Sequence, residues 1–159
     1  AVAHLKEKGE RFNLVFVGDG SERERLEELV KRYGIVNQVW FYGACYDEAK
    51  NAELVYNADL CVAPGNIGLT AMHVMMFGCP ALTHDCFKWQ MPEFESIHPY
   101  KTGNFFKYQN QESLEEKISE WFRINGNLRE EVRQACYKEI DEQWNPEFQL
   151  DVIEKAINI

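Results

Sequence analysis

The sequence is short of basic residues. Against 26 Asp and Glu stand 17 Lys and Arg, and the formal net charge is -9 at pH 7. Because no basic patch stands out to neutralise phosphates, the composition argues against a nucleic-acid-binding surface and against an anionic-membrane surface. No apolar run approaches the roughly 18 residues of a membrane span, and no signal peptide is visible. A phosphate-bearing ligand would have to be held by backbone N–H groups and a few local cations.

Paired metal ligands are missing as well. The five cysteines include no CxxC pair, and the four histidines show no paired spacing. We therefore expect no metal site and no resident cofactor, and we interpret the cysteines as reduced packing residues of a cytoplasmic protein. The cysteines are Cys45, Cys61, Cys79, Cys86 and Cys136.

Short apolar segments alternate with helical patterns along most of the chain. Predicted strands cover residues 12–17, 38–42, 59–63, 81–84 and 104–107, and predicted helices cover 22–33, 47–57, 68–78, 113–124, 127–144 and 146 to the terminus. Strands that alternate with helices indicate βαβ units. The predicted fold class is α/β: a Rossmann-like, mostly parallel sheet with helices on both faces and the C-terminal helices packed on one side. The first strand has the composition of a buried parallel strand.

Three helix starts carry residues that typically cap helices. Ser21 is followed by Glu24 at the spacing of a capping box, and Asp47 and Asn127 precede two other helices. We expect a side-chain cap at each of these starts.

Glycine-bearing turns follow three of the predicted strands: residues 18–20, 43–46 and 65–70. The carboxyl ends of parallel strands meet at one edge of a sheet, where ligands bind at the topological switch point. In the third turn a strand end passes through glycines into a helix start, which leaves backbone N–H groups aimed at one point. The three turns together predict a crevice for a nucleotide-like ligand; plain strand–helix connections are the alternative.

The segments 14–20, 39–43, 58–64, 68–80, 92–93 and 102–103 resemble, in order and spacing, the C-terminal, donor-binding domain of a GT-B glycosyltransferase of family 4. The resemblance implies half of a GT-B architecture in a single domain, residues 1–159. It also implies sugar transfer, with retention of configuration and usually without metal, from a nucleoside-diphosphate sugar to a glycan or lipid-linked acceptor in polysaccharide biosynthesis.

The same resemblance leads us to expect that the chain is a fragment. The N-terminal acceptor domain and the first strand of this domain would then be absent, and the isolated piece would be inactive. A sheet without its middle strand must either close up or have the gap filled. The whole protein is expected to be cytoplasmic, with attachment to the inner face of a membrane through the missing part as the alternative.

The family's two signature glutamates, eight positions apart, fall on Gly65 and His73 when counted back from Gly78. This sequence has neither acid. The resemblance therefore implies that sugar recognition is lost or rebuilt through Asn66, and that His73 offers a ring nitrogen to a ribose hydroxyl. A packing role is the alternative for His73.

The predicted donor site combines the three turns with Glu93, which matches a family position near the donor. Backbone N–H groups of residues 67–70 are expected to hold the diphosphate, and residues 42–45 to contact the base. No catalytic residue is predicted. The predicted donor-binding residues are Gly18, Gly20, Tyr42, Gly43, Gly65, Asn66, Ile67, Gly68, Leu69, Thr70, His73 and Glu93.

Two other functions remain open on the sequence. Because both signature acids are absent, a catalytically degenerate, glycosyltransferase-like binding or regulatory subunit is one alternative. An NAD-type Rossmann domain is the other, but Arg23 stands where the dinucleotide fingerprint requires its third glycine.

Overall fold

The computed structural model describes residues 1–157, and all five predicted strands are present in it. The strands are β1 (Leu14–Val17), β2 (Val39–Gly43), β3 (Cys61–Val62), β4 (Ala81–His84) and β5 (Gly103–Phe106). The helices are α1 (Val2–Glu7), α2 (Arg23–Arg32), α3 (Glu48–Asn57), α4 (Thr70–Met76), α5 (Gln111–Asn125), α6 (Arg129–Gln143) and α7 (Pro146–Ile157). The last two residues of the predicted C-terminal helix lie outside the described range.

Every strand pairing is parallel, as predicted, but the strands form two sheets. One contains β1 and β2, and the other has the order β3-β4-β5. The expected missing middle strand would lie between β1 and β3. Within residues 1–157 these two strands form no hydrogen-bonded pair, so the sheet does not close across that position.

Helices cover both faces of the β3–β5 sheet. Ala81 packs with α4 and α6 on one face, and Leu82 packs with α1 and α5 on the other. Trp121 of α5 also packs with α6 in the core beside Ala81, so α5 borders both cores. All four residues of β4 are buried, which fits a parallel strand that is covered by helices on both faces.

The prediction of a buried first strand is wrong. In β1 the side chains alternate between half-buried and exposed, and Val15 and Val17 are 44% and 46% exposed. Helix packing covers one face of the β1–β2 sheet, where Phe16 stacks on Phe41 with ring centroids 5.1 Å apart. The opposite face, which also carries Trp40, stays open to solvent.

Helix α1 connects the two sheets. Leu5 is buried with Leu82 of β4 and Ile118 of α5, whereas Ala3 is buried with Val30 of α2. A single short helix thus contributes to the hydrophobic core beneath each sheet.

Of the three predicted caps, Asp47 is confirmed. Its Oδ1 accepts hydrogen bonds from the N–H groups of residues 49 and 50, at 3.0 and 3.2 Å. The caps predicted at Ser21 and Asn127 are wrong, because both residues lie in turns that precede the helix start. Asn110, which the sequence pattern did not single out, caps α5 through a 2.7 Å bond from the N–H of Ser113.

Candidate functional site

The turns after β1 and β2 lie side by side. The N–H of Gly18 donates to the carbonyl of Gly43 at 2.8 Å, and Gly43 has a φ of 93°, a conformation that glycine adopts easily. Arg23, at the start of α2, lies 5.9 Å from the ring centroid of Phe41 and 3.8 Å from the carboxylate of Asp19. The two turns therefore have one guanidinium beside them.

The remaining predicted residues of these turns are surface groups. Gly20 is exposed, and its N–H donates to Oδ1 of Asp19 at 2.9 Å. Tyr42 is half-buried, with its ring edge-on to that of Trp40 at 5.1 Å. A Cβ added at Gly20 would meet no atom within 4 Å, so there is open space beside this residue.

The third predicted turn, residues 65–70, is one residue shorter in the structure because α4 begins at Thr70. We call residues 65–69 the ligand loop. Polar side chains of the segment 83–90 hold this loop in place. Three hydrogen bonds tie three consecutive loop residues to the segment 83–90. Thr83 Oγ1 donates to the Gly65 carbonyl at 3.0 Å, His84 Nε2 lies 3.1 Å from Asn66 Oδ1, and the Ile67 N–H donates to Gln90 Oε1 at 3.0 Å.

These bonds narrow the set of backbone donors that the sequence predicted. The N–H of Ile67 is used by Gln90, and the N–H of Thr70 donates to the Ile67 carbonyl at 3.2 Å. The N–H groups of Gly68 and Leu69 donate to no protein acceptor within residues 1–157. Gly68 has a φ of 49°, and Leu69 is 70% exposed, so Leu69 lies at the surface of the loop.

His73 is not a core residue. Its side chain is 41% exposed, its Nε2 lies 2.7 Å from Oε1 of Glu48, and its ring meets Phe77 edge-on at 5.5 Å. Glu48 is in the first turn of α3, directly after the β2 turn. This pair therefore connects the second turn to the helix that follows the ligand loop.

Glu93 lies in the short 3-10 turn Pro92–Ser96, whose neighbour Phe94 packs against the core under α4. Its Oε2 is buried and has no hydrogen-bond partner within the described range. An unpaired buried carboxylate oxygen is costly, so the hydrogen bonding of this side chain is incomplete.

His84 and Gln90 were missed by sequence reasoning. A polar Thr83–His84 pair at the end of a fully buried strand was the available signal, since such residues need hydrogen-bond partners there. Gln90 gave no signal, because it lies in an irregular segment. Burial lowers the pKa of His84 from its ordinary value, and the neighbouring charge of Asp85 opposes this shift only in part.

A cavity of about 180 Å³ lies at the opposite ends of the strands, near the starts of β3 and β4. Arg129, in its lining, pairs with Asp59 at 3.3 Å and donates to the Tyr56 carbonyl at 3.1 Å. Its guanidinium is therefore engaged in holding α6 to the end of α3. Ligands of such sheets bind at the carboxyl ends of strands, so the glycine turns and not this cavity remain the predicted site.

Comparison with known proteins identifies the protein family to which this chain belongs. The model of the family described as glycosyl transferases group 1 matches residues 1–139. A curated relative, "Putative glycosyltransferase EpsD" of Bacillus subtilis (strain 168), is 34% identical over 88 residues, which are 54% of this chain and 22% of EpsD. The chain thus spans about a fifth of the length of the curated relatives it matches.

Solved structures show the same fold. The C-terminal domain of a glycosyl transferase group 1 family protein (LpcC) from Francisella tularensis has a TM-score of 0.71 at 20% identity, covering 92% of this chain and 76% of that one. Anabaena HepE, solved in complex with UDP, has a TM-score of 0.72 at 16% identity, covering 99% of this chain and 44% of that one. The α/β fold with parallel sheets flanked by helices is therefore that of GT-B glycosyltransferases.

Proposed function

We propose that this chain, which belongs to the glycosyl transferases of group 1, binds the nucleoside-diphosphate sugar of a retaining glycosyltransferase that acts on a glycan or lipid-linked acceptor. One observation carries the proposal. In a chain of this family, the ligand loop at the carboxyl end of β3 leaves the N–H groups of Gly68 and Leu69 without a protein acceptor within residues 1–157. Two adjacent backbone donors of this kind suit a diphosphate.

The surrounding residues support particular roles. The N–H groups of Gly68 and Leu69 would hold the diphosphate, and the exposed hydroxyl of Thr70 would assist. His73 uses Nε2 for Glu48, so its Nδ1 would be the atom that meets a ribose hydroxyl. Catalysis would then depend on positioning the donor and on electrostatic stabilisation of the departing diphosphate.

Calorimetric titration with uridine, guanosine and adenosine diphosphates tests the proposal. We expect weak binding of at least one of them and no sugar transfer by the chain alone. No heat with any of the three at millimolar concentration would contradict the proposal.

Leu69→Pro is a sharp test of the backbone donors. Leu69 has a φ of -56° at the helix start, which proline can adopt, so the substitution removes one N–H with little strain. Leu69→Ala is the matched control, because it also removes the exposed side chain but keeps the N–H. A lost hydrogen bond to a charged group costs about 1.5–3 kcal/mol, so Leu69→Pro should weaken diphosphate binding by about tenfold or more. Equal affinities of the two variants would exclude this N–H as a ligand contact.

A second candidate is a catalytically degenerate subunit that binds the nucleotide sugar without turning it over. It is favoured by the resemblance, which implies that Gly65 and His73 stand where the family has its two signature glutamates. Donor hydrolysis or sugar transfer by the protein that contains this chain would exclude it. Nucleotide binding without turnover under the same conditions would support it.

A further inference from the structure

The ligand loop is fixed by side chains that lie outside it and away from solvent. Thr83 and His84 are both fully buried, and together with Gln90 they hold residues 65–67 through one hydrogen bond each. Hydrogen bonds in a buried network strengthen one another and specify a single arrangement when all members are satisfied. The loop therefore has a defined shape before any ligand arrives.

The contacts of His84 determine its tautomer. The backbone N–H of Cys86 donates to Nδ1 of His84 at 3.2 Å, so Nδ1 carries no proton. The proton of the neutral ring is then on Nε2, which lies 3.1 Å from Oδ1 of Asn66 and donates to it. Because Oδ1 of Asn66 is engaged in this way, the other end of its carboxamide, the Nδ2 amino group, faces the solvent at an exposed position.

Gln90 completes the arrangement. Its Oε1 accepts from the N–H of Ile67, and its Nε2 donates to Thr83 Oγ1 at 3.0 Å and to the His84 carbonyl at 3.2 Å. The same Nε2 lies 3.2 Å from His84 Nε2, but its two hydrogens are used by these two oxygens, so the protonated His84 Nε2 keeps Asn66 as its acceptor. Both amide hydrogens and the amide oxygen are thus used. The hydroxyl of Thr83 in turn donates a hydrogen bond to the Gly65 carbonyl. One side chain therefore orders both the loop and the residues beneath it.

We propose that His84 and Gln90 are positioning residues of the ligand site, and that they present the Nδ2 group of Asn66 as a hydrogen-bond donor to an oxygen of the bound nucleoside-diphosphate sugar. The inference rests on the proposed function, and it predicts that the site prefers ligand groups that accept hydrogen bonds. Asn66 and the free N–H groups of the ligand loop all donate. A phosphate, carbonyl or carboxylate oxygen is the ligand group that such a surface holds best.

The tautomer of His84 can be measured without a ligand. Long-range ¹H–¹⁵N NMR of the histidine rings at neutral pH should show His84 in the Nε2–H form. The amide of Ile67 should exchange slowly with solvent, because Gln90 accepts its proton. A predominant Nδ1–H form of His84 would overturn the proposal, since Asn66 would then lack the donor that orients it.

Asn66→Asp tests the donor directly. It keeps an oxygen for His84 and replaces the outward amino group with a second oxygen that repels an acceptor. Asn37→Asp adds the same charge at an exposed position in the turn before β2 and serves as the control. With UDP-glucose, GDP-mannose and ADP-glucose as probes, Asn66→Asp should bind at least about tenfold more weakly than the wild type, and Asn37→Asp should match the wild type.

Gln90→Glu tests positioning. The carboxylate still accepts from Ile67, but it places an oxygen against the Thr83 hydroxyl and the His84 carbonyl, which Gln90 now binds as a donor. We expect faster amide exchange at residues 65–67 together with about tenfold weaker probe binding. Gln149→Glu, at an exposed site in α7, is the control for the added charge. Thermal melting of each variant separates this effect from global unfolding.

The outcomes distinguish the two proposals. If the wild-type chain binds none of the three nucleotide sugars and none of the three nucleoside diphosphates, the proposed function fails and this inference fails with it. If the wild type binds but Asn66→Asp behaves like Asn37→Asp, the inference alone is overturned.

Discussion

Replacing Glu115 with glutamine should loosen the junction between α1 and α5. The side chain of Glu115 is 4% exposed, and its carboxylate lies 3.0 Å from His4 Nδ1, 3.2 Å from Lys8 Nζ and 2.8 Å from Gln111 Nε2. Helix α1 reaches the cores of both sheets, so this carboxylate contributes to holding them together.

The magnitude follows from the loss of charge at constant shape. Hydrogen bonds to a charged group contribute about 1 kcal/mol more than neutral ones. Two cationic or potentially cationic side chains, His4 and Lys8, face Glu115, so Glu115→Gln should cost about 1–2 kcal/mol. For a chain of this size, that corresponds to a melting temperature lower by about 2–8 °C. Circular dichroism melting at pH 7.5 measures it.

Glu116→Gln is the matched control, because Glu116 is exposed on the next residue of the same helix. Equal melting temperatures for the two variants would refute the reasoning.

The pH dependence of the stability gives a second check. Burial would raise the pKa of Glu115, but the hydrogen bonds from Gln111 and Lys8 and the charge of His4 outweigh it, so the folded pKa lies below the ordinary 4.5. The stabilisation is then complete above about pH 4.5 and is lost as the pH falls through the folded pKa.

Two further predictions concern packing. A Cβ added at Gly103 would overlap the carbonyl of Ala81 across the β4–β5 pair, so Gly103→Ala should lower the free energy of unfolding by about 1–3 kcal/mol. Gly20→Ala is the control, because Gly20 has open space around it, and this variant should melt at the temperature of the wild type. Burial raises the pKa of Cys61 to about 11 and that of Cys136 to about 12. Both thiols should therefore resist an aromatic disulfide reagent at pH 8 until urea unfolds the chain. Prompt modification of Cys136 in the native protein would contradict this prediction.

The positions of the strands could be predicted because each is a short apolar run bounded by turn residues. Ala81–His84 was predicted with its observed bounds, because it follows Pro80 and precedes an irregular segment, although its last two residues are polar. The division into two sheets was not predictable, because strand sequences do not record which neighbour supplies the hydrogen bonds. The same limit explains the error at Leu14–Val17, whose composition fits a covered strand although one face is open.

The turns of the candidate site could be located from the sequence, and their role in binding stays a prediction. The glycines marked the turns, because their spacing after apolar runs reflects a general property of parallel sheets. The sequence did not show that Ile67 gives its N–H to Gln90, a residue 23 positions away, because no local pattern encodes such a contact. Nor did it show that His73 is half exposed and paired with Glu48, since its helical face carries apolar neighbours.

A final prediction follows from the distribution of the site over two sheets. The turns at residues 18–20 and 43–46 belong to the β1–β2 sheet, and the ligand loop belongs to the other. The Glu48–His73 pair joins them, but an exposed ion pair contributes only about 0–1 kcal/mol. A nucleotide that contacts both sets of turns would therefore add a substantial link, because a ligand at a hundredfold excess over its Kd stabilises the folded state by about 2.7 kcal/mol.

Hydrogen exchange of the amides with and without saturating nucleoside diphosphate measures this coupling. We expect slower exchange in β1 and β2 as well as in the ligand loop, since opening the β1–β2 sheet would then require the ligand to leave one of its contacts. Glu48→Gln removes the carboxylate charge from the Glu48–His73 pair, so amide exchange in β1 and β2 without ligand should become faster. The additional protection of β1 and β2 by the ligand should remain in this variant. Protection confined to residues 63–77 would mean that the ligand binds one sheet alone, and the turns after β1 and β2 would then have no part in the site.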